Sequence, residues 1–289
     1  MPEVSDHSSE IDTAFAAHGT APGARSGLPV FWRSAPPAAD RATSAVPLYL
    51  HGVPSSSGEW LEFLSRSGGL APDLPGFGRS GKPAFLRYTI DEYDRFLERF
   101  LDEAGVERVS LVMHDWGIVG LAFAQRLPER VERLVIINAV PFLPGYRWHR
   151  TARVWRTLGV GELAMGATNR FTLRLASRES NVAPGPMPDA WLDSVLEHFD
   201  QGTQRAILRL YRSSPTEVLA AAGERLGALD VPALVVWGMR DPYIPARFGA
   251  AYAQALPRAE LLELPDAGHW PWLDRPDVLE RVVDFLSAA

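Results

Sequence analysis

The sequence contains no cysteine, which excludes disulfide bonds, thiolate nucleophiles and cysteine-ligated metal sites. It also has no run of basic residues, and its formal net charge of −6 leaves no positive footprint for nucleic acid or an anionic membrane. No stretch approaches the roughly 20 consecutive apolar residues of a membrane-spanning helix, and the start MPEVSDHSSEID lacks the basic and apolar regions of a secretory signal. We therefore expect a cytoplasmic protein that binds neither nucleic acid nor membrane.

What the chain does have is enough apolar sequence for one large core, since 46% of its 289 residues are hydrophobic. Short apolar runs bounded by turn residues predict buried strands at 28–32, 46–50, 109–113, 134–138, 233–237 and 261–264. Helical patterns, such as 90–104 and 118–127, separate most of these runs. Strands that alternate with helices in this way predict an α/β fold with a mostly parallel sheet flanked by helices.

Two segments break this rhythm. Residues 1–26 are rich in Ala, Ser, Gly and acidic groups without sustained periodicity, which predicts a mobile N-terminal segment. Residues 141–226 are rich in Arg, Leu and Trp at helical spacing and contain no convincing strand, which predicts a helical cap inserted over the sheet. The core domain is then formed by residues 27–140 and 227–289.

Chemistry is expected where the strands end, because ligands of open parallel sheets bind at the carboxyl ends of the strands. Four predicted strands are followed by suggestive groups, and together they bring two aspartates, a histidine and a glycine-rich turn to one edge of the sheet. In chain order the four stretches are HGVPSSSGEW (51–60), HDWG (114–117), GMRDP (238–242) and PDAGHW (265–270).

These motifs resemble the α/β-hydrolase superfamily, in which a nucleophile, an acid and a histidine follow in that order on strand ends. The resemblance runs from about residue 28 to the C-terminus and includes PDLPGFGRS at 72–80. Most members carry serine as the nucleophile, whereas this chain presents Asp115 in HDWG, as epoxide hydrolases and haloalkane dehalogenases do. The resemblance implies the α/β-hydrolase fold with an inserted helical cap.

An aspartate nucleophile indicates a particular kind of reaction. With a reference pKa of about 3.9 it is ionised at neutral pH and is suited to attack on a saturated carbon. The resemblance implies an alkyl ester on Asp115, hydrolysed by water that His269 activates and Asp241 supports. It also places the oxyanion donors at the backbone N–H groups of Val53 and Trp116. Serine-esterase chemistry is not expected, because attack of a carboxylate on an ester would give an anhydride.

Each of the acidic residues also has an ordinary structural explanation. Asp115 alone could cap the N-terminus of a helix, and Asp241 precedes Pro242 in a common turn arrangement. Asp266, only three residues before His269, is an alternative acid. The catalytic interpretation of Asp115, Asp241 and His269 depends on all four motifs occurring in the order that the superfamily has.

Epoxide hydrolases and haloalkane dehalogenases differ in the leaving group that the site must stabilise. Epoxide hydrolases protonate the epoxide oxygen with cap tyrosines, for which Tyr211 is the candidate and Tyr146 a second, earlier one. Dehalogenases bind the halide with N–H donors, but Val53 occupies the place of a donor asparagine, which leaves Trp148 or Trp155 as the second donor. We expect an epoxide hydrolase, with a haloalkane dehalogenase as the alternative and a non-catalytic small-molecule receptor as a further one.

The remaining expectations concern the ligand and the partners. A cap rich in Trp, Leu and Phe indicates a small apolar substrate that reacts with water, and His51, Trp148 and Trp155 are candidates for contact with it. We expect no metal and no cofactor, and the sequence leaves a monomer and a homodimer equally open. The histidines outside the motifs share no metal-binding spacing; they are His7, His18, His149 and His198.

Overall fold

The computed structural model describes residues 3–13, 27–37, 44–182 and 185–288. These residues form an eight-stranded sheet with the strand order β1-β2-β4-β3-β5-β6-β7-β8. β2 is antiparallel to both β1 and β4, and the strands from β4 to β8 run parallel. The strands are β1 (Ser5–Asp12), β2 (Gly27–Ala35), β3 (Val46–Leu50), β4 (Gly69–Pro72), β5 (Val109–His114), β6 (Val131–Ile137), β7 (Ala233–Gly238) and β8 (Ala259–Leu264).

Helices cover both faces of this sheet. Along β5, Leu111 and Met113 enter one apolar cluster while Val112 enters the other, which is why these three successive residues are all apolar. The helices of the core are α1 (Leu61–Ser67), α2 (Ile90–Glu103), α3 (Gly120–Arg126), α10 (Arg247–Ala255), α11 (Pro271–Asp274) and α12 (Asp277–Ser287). The α/β fold that the sequence predicts is thereby confirmed.

The six predicted strands are present, but two others were not predicted. Residues 5–12, which were predicted to be mobile, form β1 and pair with β2 along their whole length, so that part of the prediction is wrong. β1 is an edge strand, held by backbone hydrogen bonds on one side only. Its residues are mostly exposed and polar, so the sequence contains no apolar run from which this strand could be predicted. The predicted mobile residues 14–26 lie outside the described residues. β4 was missed because its four residues, GLAP, include Gly and Pro.

The insertion between β6 and β7 is helical, and none of its described residues forms a strand. Its helices are α4 (Arg150–Arg156), α5 (Val160–Gly166), α6 (Arg170–Ala176), α7 (Asp189–Glu197), α8 (Gln201–Ser213) and α9 (Thr216–Ala222). Asp200 precedes α8 and caps its N-terminus, because its side chain accepts a hydrogen bond from the Thr203 N–H. It buries Ala206, Ile207 and Leu210 at helical spacing, and Tyr211 lies on the same buried side. Within the described residues, no helix is long and apolar enough to cross a membrane.

Candidate active site

Asp115 lies on a tight turn that directly follows β5. Its φ is +47°, in the left-handed region that aspartate tolerates better than most residues do. Gly117 makes the turn possible, because a Cβ at this position would lie 2.0 Å from the Leu50 carbonyl oxygen of β3. The HDWG motif is thus a turn packed closely against the neighbouring strand, and the nucleophile candidate stands at its start.

The loop after β3 holds one oxygen of the Asp115 carboxylate. The Val53 N–H donates to Asp115 Oδ2 over 2.9 Å, and the Trp116 N–H also hydrogen-bonds the carboxylate. Gly52 lets the loop approach this closely, since a Cβ there would lie 2.6 Å from the Asp115 Cβ. The two predicted oxyanion donors therefore converge on Asp115, while its other oxygen, Oδ1, lies 3.9 Å from His269 Nε2.

His269 is supported from behind by Asp241. Its Nδ1 lies 2.7 Å from Asp241 Oδ2, which also accepts from the Asn138 side-chain amide at 2.8 Å. Asp241 Oδ1 accepts from the backbone N–H groups of Tyr243 and Ile244. The ionised Asp241 carboxylate can only accept a hydrogen bond, so the ring proton of neutral His269 lies on Nδ1. His269 Nε2 is then the basic nitrogen, and it faces Asp115.

The alternative acid, Asp266, lies elsewhere. Its side chain is 58% exposed and forms an ion pair with Arg275 at 2.9 Å. Asp241 is fully buried, by contrast, and contacts the histidine directly. Of the two candidate acids, Asp241 is therefore the one in contact with His269.

Burial and charge shift the pKa values of all three groups. Burial raises the pKa of Asp115, and the charges of His269 and His114 counter this only in part. Burial alone would lower the pKa of His269, but the charge and hydrogen bond of Asp241 outweigh it and raise this pKa. Burial likewise opposes ionisation of Asp241, but the charge of His269 holds its pKa below the usual range. The result is a basic histidine between two carboxylates.

A cavity of about 290 Å³ opens above these groups, between the core and the insertion. Asp115, Val53 and His269 form part of its wall, and the insertion contributes Trp155 and Tyr211. Its lining is mainly apolar, as expected of a small-molecule site. Among the described residues, no cluster of three or more His, Cys, Asp or Glu side chains is arranged to hold a metal ion.

Two of the residues predicted to contact the substrate, His51 and Trp148, do not line this cavity. Both ring nitrogens of His51 are engaged with backbone, Nδ1 with the Gly52 carbonyl and Nε2 with the Leu74 N–H. The Trp148 indole donates to the Ser214 carbonyl oxygen at 3.2 Å. The structure therefore does not support substrate contact by His51 or Trp148, because their polar atoms hold loops together.

Tyr146, the second predicted cap tyrosine, is also absent from the cavity wall. It is 3% exposed, and its hydroxyl lies 3.5 Å from the Tyr243 carbonyl oxygen. Tyr243 itself lines the cavity instead, packs edge-on against the His269 ring and shares a 2.8 Å hydrogen bond with Ser180. Burial raises the pKa of Tyr243 to about 12. The sequence offered no sign of Tyr243 beyond its position two residues after Asp241.

The Trp116 side chain packs behind the cavity wall. Its ring stacks on Trp148 with 5.7 Å between centroids and meets Tyr211 edge-on at 5.2 Å. The Trp116 indole N–H is buried and lacks a hydrogen bond of good geometry within the described part of the chain. It lies near the Tyr211 hydroxyl, however, and acts to lower the pKa of that hydroxyl. Tyr211 therefore stands between the Trp116 indole and the cavity.

Comparison with protein families matches residues 48–276 to the alpha/beta hydrolase fold family. A haloalkane dehalogenase of Mycolicibacterium paratuberculosis is 30% identical over 246 residues, which are 76% of this chain and 74% of that protein. A cis-3-alkyl-4-alkyloxetan-2-one decarboxylase of Shewanella oneidensis is 28% identical over 82% of this chain and 80% of its own length.

Solved structures agree with the fold. The crystal structure of the haloalkane dehalogenase DbeA from Bradyrhizobium elkani superposes with a TM-score of 0.78. The alignment covers 98% of both chains at 24% sequence identity. At that identity the likeness concerns the fold alone.

Proposed function

This chain belongs to the α/β-hydrolase superfamily, as a hydrolase of the group that contains the haloalkane dehalogenases, and we propose that it opens an apolar epoxide through an ester on Asp115. The observation that carries the proposal is Tyr211, a buried tyrosine whose side chain forms cavity wall together with Asp115. A phenol can protonate the alkoxide that an opening epoxide releases, whereas a halide leaves without a proton.

Tyr211 suits the role of an acid. Burial raises its pKa well above 10, and the nearby charge of Asp115 raises it further. The hydroxyl is therefore protonated throughout the neutral range and shares a wall with the nucleophile that must act in the same step. Tyr243 supplies a second hydroxyl-bearing side chain in the same cavity.

The first step is an in-line displacement. Asp115 Oδ1 forms a bond to an epoxide carbon, the carbon–oxygen bond of the ring breaks, and the Tyr211 hydroxyl passes its proton to the new alkoxide. In the second step His269 Nε2 takes a proton from water, which adds to the Asp115 carboxyl carbon. The negative charge then develops on Oδ2, which already faces the Val53 N–H. Collapse breaks the bond between the carboxyl carbon and Oδ1, and the protonated His269 gives its proton to the departing alkoxide, which releases the diol. The proton of the regenerated carboxyl group returns to the Tyr211 oxygen, which restores both the carboxylate and the phenol.

A haloalkane is the second candidate substrate, and two observations favour it. Related proteins are named haloalkane dehalogenases, and the buried indole N–H of Trp116, the residue after Asp115, has no hydrogen bond of good geometry among the described residues. A departing halide needs such N–H donors. Val53 contributes no side-chain donor and the Trp148 indole is engaged with Ser214. Of the indoles that line the cavity, Trp270 is engaged with Glu59, which leaves Trp155 and Trp191 as candidates for the second donor.

Tyr211→Phe separates the two substrates. We expect epoxide opening to slow by about 10²- to 10⁴-fold, the usual contribution of a positioned acid, while halide release from a bromoalkane keeps its rate. Stopped-flow measurement of the alkylation step with each substrate provides the test. Tyr146→Phe is the matched control, because that hydroxyl lies outside the cavity and its removal should leave both rates unchanged. Equal slowing by both variants would contradict the role of Tyr211.

The pH dependence of the two steps follows from the shifted pKa values of His269 and Tyr211. In the free enzyme His269 should titrate above its reference value of about 6.5, since Asp241 and Asp115 both raise its pKa. Ester formation neutralises Asp115, so the acid limb of ester hydrolysis should fall at a lower pH than the titration of His269 in the free enzyme. Epoxide opening should show no basic limb up to pH 10, because Tyr211 stays protonated. Histidine NMR and single-turnover rates measure these midpoints, and an ester-hydrolysis limb at higher pH than the free-enzyme titration would contradict the proposed geometry.

A further inference from the structure

Glu59 is a buried carboxylate behind the active site, in the short 3₁₀ helix Ser57–Trp60. Its side chain is only 3% exposed and does not line the cavity. Oε1 accepts a hydrogen bond from the Gly52 N–H, and Oε2 accepts from the Ser55 hydroxyl at 2.6 Å and from the Trp270 indole at 3.4 Å. Because both oxygens receive donors, these contacts favour the ionised form of Glu59.

The fourth partner of Glu59 is His114, at the end of β5. His114 Nε2 lies 2.9 Å from the His269 carbonyl oxygen, which can only accept, so Nε2 carries a hydrogen. His114 Nδ1 lies 3.5 Å from Glu59 Oε1. A neutral ring would direct a lone pair at this buried carboxylate, whereas a ring protonated on Nδ1 would face it with a positive charge. Burial raises the pKa of Glu59, but the charge of His114 beside it and the other polar contacts outweigh burial and lower that pKa.

The four partners of Glu59 come from three separate segments of the chain, and each lies within two residues of a group with a proposed part in the reaction. Gly52 directly precedes Val53, and Ser55 follows Val53 by two residues. His114 directly precedes Asp115, and Trp270 directly follows His269.

We propose that Glu59 is a positioning residue, ionised and paired with a protonated His114, that holds the oxyanion loop, the nucleophile turn and the histidine loop in register. The inference rests on the proposed roles of Asp115 and His269. Glu59 touches no reacting atom and acts through its neighbours, while its negative charge also supports the basicity of His269.

The charge effect has several other contributors, and a test must hold them constant. Arg150 and Glu179 line the same cavity and pair with each other. The titratable groups that face His269 from the elements packed around it are Asp115, His114, Asp241, Tyr243, His149 and Glu59. A substitution at Glu59 alone leaves all the others in place.

Glu59→Gln preserves the size of the side chain and removes its charge, and Glu62→Gln, at an exposed position on α1, is the matched control. We expect the titration midpoint of His269, followed by histidine NMR without substrate, to shift in Glu59→Gln and to stay unchanged in Glu62→Gln, because Glu59→Gln removes the carboxylate and with it the proton that it holds on His114. Ester hydrolysis should slow by about 10-fold or more, as small misplacements of reacting groups do. A lower melting temperature with an unmoved midpoint would mean that Glu59 is merely structural and would overturn the proposal.

A second variant keeps the proposal testable if Glu59→Gln does not fold. His114→Gln retains an amide donor for the His269 carbonyl and removes the positive partner of Glu59, so the His269 midpoint should move to higher pH. An unmoved midpoint would show that His114 carries no charge and would contradict the inference. Because this titration needs no substrate, its result is independent of whether the wild-type protein turns over an epoxide or a bromoalkane, which tests the proposed function separately.

Discussion

His269→Gln is expected to stop the reaction after its first step, with the ester accumulating on Asp115. Attack by Oδ1 needs no base, since the carboxylate is already ionised, whereas hydrolysis of the ester needs water deprotonated at Nε2. We expect ester hydrolysis to slow by at least about 10³-fold while alkylation continues. Incubation with an aryl epoxide and, separately, with a short bromoalkane, followed by intact mass and peptide mapping, detects the adduct.

The controls for this experiment are provided by the chain itself. His198→Gln, in the insertion and outside the cavity wall, should turn over without an adduct. Adding Asp115→Ala to His269→Gln should abolish the adduct. An epoxide-mass ester supports the first proposal, and an alkyl ester with halide release supports the second candidate. If neither reagent leaves an adduct, Asp115 is not the nucleophile for these substrates and the receptor alternative gains weight.

Asp241→Asn should cause the second large loss. The amide loses the charge that holds the histidine proton on Nδ1 and raises the pKa of His269, so Nε2 becomes a poorer base. In a serine protease the equivalent substitution costs about 10⁴-fold, and we expect a decrease of about 10³- to 10⁴-fold in the rate of ester hydrolysis here. Single-turnover mass spectrometry measures it directly, and histidine NMR should show the His269 midpoint displaced to lower pH.

Asp266→Asn is the matched control for that variant. Asp266 lies in the same loop as the histidine, but its exposed carboxylate pairs with Arg275 rather than with His269. Its removal should therefore leave the hydrolysis rate and the His269 midpoint unchanged. Comparable losses in Asp241→Asn and Asp266→Asn would refute the assignment of Asp241 as the supporting acid.

Several features could be predicted without coordinates because their cause is local. The central strands β3, β5, β6 and β7 are mostly buried and mainly apolar, and a strand buried on both faces requires an apolar run whatever surrounds it. Gly117 is required by the close contact of its turn with Leu50. Asp115, Asp241 and His269 could be proposed together because each directly follows a strand or lies in the loop after one. Parallel strands bring those ends to one edge of the sheet.

Other features depend on contacts between distant parts of the chain. Trp270 contacts Glu59 across 211 residues and His114 contacts the His269 carbonyl across 155, and neither separation leaves a local pattern. The insertion shows the same limit, because its helical spacing identifies the helices but not which aromatic side chains face the cavity. Of the predicted cap aromatics Tyr211 and Trp155 face it, whereas Tyr146 and Trp148 do not. The order of the reactive groups along the chain can therefore be read from the sequence. The residues that position these groups and the residues that form the cavity wall are determined only by long-range packing, which brings distant segments together.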